Sequence, residues 1–273
     1  MKNKILIYDD NCPFCTWYSN LFVRYGFLDR EGRKDFSSLS PALLEQIDMD
    51  RSRNEIPLLD KTTGKVHYGI DALLELLGQK FPWIKKTGRV APVNWFLRKL
   101  YKLVSFNRKL IVARKCSEGV IDCSPDVNYF YRLAFMTICL VFNTLILFPL
   151  HDMVLTGLPY YHLSITELQL AHFGLVFINC LLSLSFTKEK ATGYLGQVNM
   201  LALMTVLLLL PLLALTGLPG SDRITIVYLV LVALLVFKEY LRRMDYAGVL
   251  LSHKWVASIN LVSLSAFMLV LFG

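Results

Sequence analysis

Charge is scarce in this 273-residue chain. Asp, Glu, Lys and Arg make up 18% of it, against roughly 25% in an average soluble domain. It has no glycine-rich phosphate loop, no nucleotide fingerprint and no Ser-His-Asp arrangement, so the sequence motifs for those chemistries are missing. Internal repeats and low-complexity tracts are absent as well. The five histidines are scattered at 67, 151, 162, 172 and 253, with no metal-ligand spacing. What fills the space is apolar: 55% of residues are hydrophobic and the mean hydropathy is +0.47. That surplus excludes a disordered chain and an ordinary cytosolic domain. The charge is unevenly placed. Residues 1–128 hold 21 of the 29 Lys and Arg and 15 of the 21 Asp and Glu, a net +6, while the remaining 145 carry only +2. Two unlike parts are joined.

Five stretches in the second part are long and apolar enough for a bilayer, which needs about 20 helical residues. They run over 129–150, 169–187, 197–217, 224–241 and 254–272. The fourth is interrupted by Lys238 and Glu239, which leaves a full crossing or a re-entrant element open. Lys188 and Lys190 follow the second span, and Lys238, Arg242, Arg243 and Lys254 the fourth. Only Arg223 stands on the opposite side. The positive-inside rule places the basic loops with the N-terminal part. Residues 1–20 do not read as a signal peptide. The expectation is an integral protein of the cell inner membrane, with a cytosolic N-terminal domain and the C-terminus across the membrane.

The N-terminal part opens with a β-type run, Lys4 to Tyr8, followed by Asp9-Asp10-Asn11-Cys12-Pro13-Phe14-Cys15 and an amphipathic helical pattern. The Cys-x-x-Cys therefore sits where a strand turns into a helix. Cys12 falls at the N-cap, where backbone N–H groups and the helix dipole favour a thiolate. Pro13 suits the first turn because it lacks the donor that would go unpaired there. A short strand at 34–36, a helix at 41–47, a strand at 55–60, a hairpin turn at 62–65, a return strand at 66–68 and a helix at 70–77 follow. This order, β-α-β-α-β-β-α, is that of an α/β thioredoxin-like fold, here fused to an all-α transmembrane bundle. In such folds a cis-proline before the hairpin faces the dithiol, so Ile56–Pro57 is expected to be cis and to help bind the partner.

The run Tyr8 to Cys15 resembles the DCC family of thiol-disulfide oxidoreductase-like proteins. The similarity continues in Gly69-Ile70-Asp71-Ala72-Leu73, in Tyr101-Lys102-Leu103-Val104 with Asn107-Arg108, and at Cys116. Asp9 takes the place of the family's Asp, and Cys12 and Cys15 those of its cysteines. Asp10 stands where the family usually has Gly, which tightens the turn or adds negative charge near the thiol. The resemblance spans about residues 4–116 and implies disulfide exchange. Cys12 would attack as thiolate and Cys15 would resolve the mixed disulfide. Asp9 would take or relay the Cys15 proton, while its charge opposes the helix dipole at Cys12.

Several features admit plainer readings. Cys116 and Cys123 are either a second redox pair, zinc ligands together with the first two cysteines, or structural thiols. Cys139 and Cys180 lie in mid-span, where packing is the ordinary use of Cys. His172 falls near the edge of a span. His151, Asp152, His162 and Glu167 share an outer loop. Phe14 and Trp17 flank the dithiol and shape a docking surface or belong to the core. The basic stretch Arg98 to Lys115, interleaved with apolar residues, reads as a helix on anionic lipid rather than a nucleic-acid site.

The reading divides the chain into a dithiol domain (1–90), a basic juxtamembrane segment (91–128) and a membrane domain (129–273). It assigns thiol-disulfide exchange with protein or small-molecule disulfides, at a bilayer, with no metal and no cofactor beyond the dithiol. The competing class is a non-enzymatic scaffold or transporter-like protein whose dithiol senses redox state.

Overall fold

The computed structural model describes residues 3–115, 124–158, 161–214 and 221–272. The chain divides into two compact units, Met1–Arg132 and Leu133–Gly273.

The first unit is built on a four-stranded mixed sheet. β1 (Lys4–Tyr8) leads through α1 (Pro13–Arg24) to β2 (Arg33–Asp35). α2 (Pro41–Leu44) and α3 (Met49–Asn54) then precede β3 (Pro57–Asp60), β4 (Val66–Tyr68) and α4 (Gly69–Leu77). The strand order is β2-β1-β3-β4. β1 runs parallel to β2 and antiparallel to β3, and β3 is antiparallel to β4. Alternation along β1 explains why both faces of the sheet are covered. Ile5 and Ile7 pack with Phe36, Leu39, Ile47 and Leu59 on one side. Leu6 packs with Leu28, Ile56, Leu58, Ala72 and Leu76 on the other. Each Leu, Ile and Phe among them contributes roughly 1.5–3 kcal/mol of apolar transfer energy where it is fully buried.

Two more helices complete this unit, α5 (Pro82–Gly88) and α6 (Ala91–Val112). α6 packs against α1, α3, α4 and α5. Its contact with the sheet region runs through Tyr101, whose hydroxyl accepts the Ile56 N–H at 2.8 Å. The Ile56 carbonyl accepts Gly69 N–H at 3.0 Å. Gly69 has φ +59°, and a Cβ there would meet the Tyr101 ring at 3.2 Å, so this close approach requires glycine.

The described residues contain no cis peptide bond, which corrects the expectation for Ile56–Pro57. In the trans arrangement both polar backbone groups of Ile56 are satisfied, by Tyr101 and Gly69. Pro57 enters β3 opposite Tyr68, and its lack of an N–H is tolerated at the first residue of a strand.

The second unit is helical. α7 (Tyr129–Met153) begins just before it and runs into it, followed by α8 (Ile165–Ser183), α9 (Lys188–Leu209), α10 (Ser221–Tyr246) and α11 (Lys254–Phe272). Among the described residues, four segments are long and apolar enough to cross a membrane: Tyr129–Gly157, Ile165–Ser183, Lys188–Ala214 and Ile224–Tyr246. The fourth is a continuous helix through Lys238 and Glu239. The fifth expected span corresponds to α11, which is helical but does not count among those four. α8 starts with a capping box between Ser164 and Glu167. The helices meet around Leu182, Tyr194, Leu201, Tyr240, Met244 and Val256.

Candidate functional site: a dithiol at a strand-to-helix junction

The site begins where β1 ends. Asp9 follows the strand directly, and its carboxylate accepts the Asn11 N–H at 3.0 Å, while its carbonyl accepts Cys12 N–H at 3.2 Å. These two bonds turn the chain so that Cys12 becomes the N-cap of α1, in extended conformation, with Pro13 in the first turn. Serine, threonine, aspartate or asparagine usually occupies a cap because an oxygen accepts an orphan backbone N–H. Here sulfur does so: Cys12 Sγ accepts from Cys15 N–H at 3.4 Å. One turn of helix thus aims both cysteines at the same place. Asp9, Cys12 and Cys15 each bring a donor atom within 4.8 Å of the others. Cys12 is 2% and Cys15 3% exposed, so the two are buried alike.

A fourth side chain completes the site. Arg108, on α6, places Nη2 3.4 Å from Asp9 Oδ2, with both residues buried. Burial works against its charge, yet Cys15, Asp9 and Cys12 together hold its pKa above the ordinary arginine value. In the sequence Arg108 belongs both to the basic residues before the membrane and to the Asn107-Arg108 pair of the family resemblance, and neither assigns it a role at the dithiol. The signal for its role was the spacing Tyr101, Ser105, Arg108, which shares one helical face. Ser105 donates to the Asn54 carbonyl on that same face.

The electrostatics separate the two thiols. A hydrogen bond from the Cys15 thiol lowers the Cys12 pKa to about 6. Burial opposes this, the Cys15 N–H and Arg108 add to it, and Asp9 counts against it. Cys15 moves the other way, pushed well above its usual value by that same hydrogen bond to Cys12 and then by burial, with Arg108 resisting. Tyr18 and Tyr101 are both raised by burial first, Tyr101 to about 12, and both sense Cys15. A thiolate beside a protonated thiol, lined by neutral phenols, is what the arrangement provides.

The other expected residues are placed as follows. Phe14 stacks on Trp17 with centroids 6.1 Å apart and meets Tyr18 edge-on at 5.5 Å. Trp17 is exposed. Ile56 is buried and tied to the site through Tyr101, and Pro57 is buried at the start of β3. Asp10 does not turn toward the thiols; its carboxylate accepts the Ser37 hydroxyl at 2.8 Å. Cys116 and Cys123 lie outside the described residues. Zinc asks for four converging ligands. The trio of Asp9, Cys12 and Cys15 is the only such donor group among the described residues, and it has a guanidinium as neighbour.

An N-capping cysteine with a lowered pKa, one turn from a second cysteine, is the equipment of thiol-disulfide oxidoreductases as a class. Residues 6–114 match the family model of DCC1-like thiol-disulfide oxidoreductases. The match includes Arg108 and stops before the membrane unit. No curated protein and no solved structure matches the chain.

Proposed function

We propose that the first unit is a thioredoxin-like domain that carries out thiol-disulfide exchange through Cys12 and Cys15, held at a membrane by the second unit. The sheet order β2-β1-β3-β4, with β1 and β2 parallel and β3 reversed, supports the thioredoxin-like reading. The observation that carries the chemistry is the opposed pKa shift of two cysteines one helical turn apart.

In the forward reaction the Cys12 thiolate attacks one sulfur of a substrate disulfide. A Cys12–substrate disulfide forms, and the other substrate sulfur leaves as a thiolate that picks up a proton. Cys15 then loses its proton and attacks Cys12 Sγ, which releases the second substrate thiol and closes a Cys12–Cys15 disulfide. The substrate gains two electrons from the domain and two protons, one that started on Cys15 and leaves by way of Asp9 and one from solvent. Asp9 receives the Cys15 proton, and Arg108 holds the carboxylate in reach of that sulfur. A dithiol of the same chemical class returns the domain to its reduced form. Phe14 and Trp17 offer the substrate an apolar edge beside Cys12.

The test is turnover of a model disulfide by the purified full chain, with trapping by Cys15→Ser. Many equivalents of disulfide should be reduced per protein when a dithiol donor is supplied. Cys12→Ser should abolish this, and Cys15→Ser should accumulate a mixed disulfide on Cys12. A chain that oxidises once and never turns over is a sensor, and full activity in Cys12→Ser removes the mechanism altogether.

A further inference from the structure

Residues 76–117 contain eleven Lys and Arg and not one Asp or Glu. Several of these cations are spent within the first unit. Lys85 and Arg89 pair with Glu75, Arg98 with Asp71, and Arg108 with Asp9. Lys86 and Lys99 are exposed and form no ion pair among the described residues. The stretch 81–100 also holds Phe81, Trp83, Val90, Trp95, Phe96 and Leu100, all exposed, with Trp83 at 67% and Trp95 at 64%. Among the described residues before 129, the other large apolar side chains this exposed are Trp17 and Tyr25. Soluble surfaces seldom gather so many in so short a segment.

Their arrangement is specific. Trp95 and Lys99 are one helical turn apart, as are Phe96 and Leu100, so they share one face of α6. Lys99 Nζ lies 5.9 Å from the centre of the Trp95 ring. From Tyr101 onward no residue of α6 is exposed. The free face is therefore the first half of α6 together with α5, upstream of most of the basic stretch that the sequence pointed to. Tryptophan with an adjacent lysine is the pairing that suits the boundary between headgroups and acyl chains.

We propose that α5 and the first half of α6 form a docking face for an anionic lipid surface, with Trp83, Trp95, Phe96 and Leu100 entering the interface and Lys86 and Lys99 meeting the headgroups. The charge matches an anionic surface, which attracts cations held close to it. The chain itself supplies the membrane, because Tyr129 opens a membrane-spanning segment 29 residues after Leu100. The proposal does not depend on the chemistry of the dithiol.

The experiment uses the full-length protein carrying Trp17→Phe and Trp255→Phe, so that emission comes from Trp83 and Trp95. It is placed in nanodiscs of phosphatidylcholine with or without phosphatidylglycerol, each prepared with lipid brominated high on the acyl chain. Strong quenching in the anionic discs is expected, and Lys86→Glu with Lys99→Glu should reduce it severalfold. The difference between the unsubstituted chain and Trp83→Phe/Trp95→Phe gives the same reading if the Phe replacements disturb folding. Emission indifferent to bromine overturns the proposal, as does quenching untouched by charge reversal. A response seen only on adding duplex nucleic acid assigns the face to that partner and overturns it equally.

Discussion

The lowered pKa of Cys12 owes more to a neighbour than to the helix it caps. The hydrogen bond from the Cys15 thiol is the largest influence lowering its pKa, and it wins against burial. Asp9, which alone would raise the thiol, is countered by Arg108. Reduced full-length protein should therefore show Cys12 alkylation that rises with pH around a midpoint of about 6. The thiolate is present above that midpoint and lost below it, so near pH 7 about nine-tenths of the thiol is ionised, against a few per cent for an ordinary cysteine. Cys15 should stay protected through the same range. Cys15→Ala should move the Cys12 midpoint upward further than Arg108→Leu does, because the thiol outranks the guanidinium. A larger shift for Arg108→Leu would reverse that ranking. The cysteines and Asp9 were legible in the sequence because they are contiguous with a strand-to-helix pattern. The pairing of Arg108 with Asp9 was not, since it joins positions 99 apart and Arg108 stands within a run of basic residues.

At the scale of elements, the sheet was readable where alternation or an apolar run marks it and obscure where short polar segments intervene. Lys4–Tyr8 and the hairpin around Thr62–Lys65 announced themselves. α3 did not: Met49–Asn54 is a polar run with a single apolar residue, and it is helical because the Asp48 carboxylate caps it by accepting Arg51 N–H at 3.0 Å. The expectation of a cis bond before Pro57 failed for a related reason, since Tyr101 and Gly69 satisfy the Ile56 backbone from elements remote in sequence. That makes Tyr101 the link between α6, which carries Arg108, and β3. Tyr101→Phe keeps the ring and leaves the buried Ile56 N–H without its acceptor, which costs about 1–3 kcal/mol. The measurable result is a lower thermal midpoint for the first unit, read by near-UV circular dichroism on the full chain. An unchanged midpoint would mean that the hydroxyl holds nothing there.

The whole molecule joins a charged, dithiol-bearing unit to a largely uncharged helical one. Hydropathy located four of the five expected spans, but not the polar contacts inside the bundle, because isolated Asn, Gln and Arg residues say nothing of one another. Asn179 on α8 accepts from Tyr194 on α9 and from Asn260 on α11. Arg243 on α10, fully buried, donates to Gln197 on α9 at 2.6 Å and pairs with Glu239. Arg243 is therefore an interior residue of the bundle, although the charge pattern counted it in a loop. Other cations still mark one end of the bundle. Lys190 Nζ lies 3.1 Å from His253 Nδ1, which brings the loop after α8 and the loop after α10 to one end of this unit. Lys188, Lys190, Lys238 and Lys254 still gather at or near that end, while the loop that follows α7 has no Lys or Arg. By the positive-inside rule the basic end is expected on the cytosolic side. Cysteines introduced singly at His162 and at Lys188, in a chain whose native cysteines are replaced by serine, distinguish the two faces. A membrane-impermeant maleimide added to intact cells should label position 162 and spare 188 until the membrane is permeabilised. The reverse pattern would turn the protein over and place the dithiol unit outside.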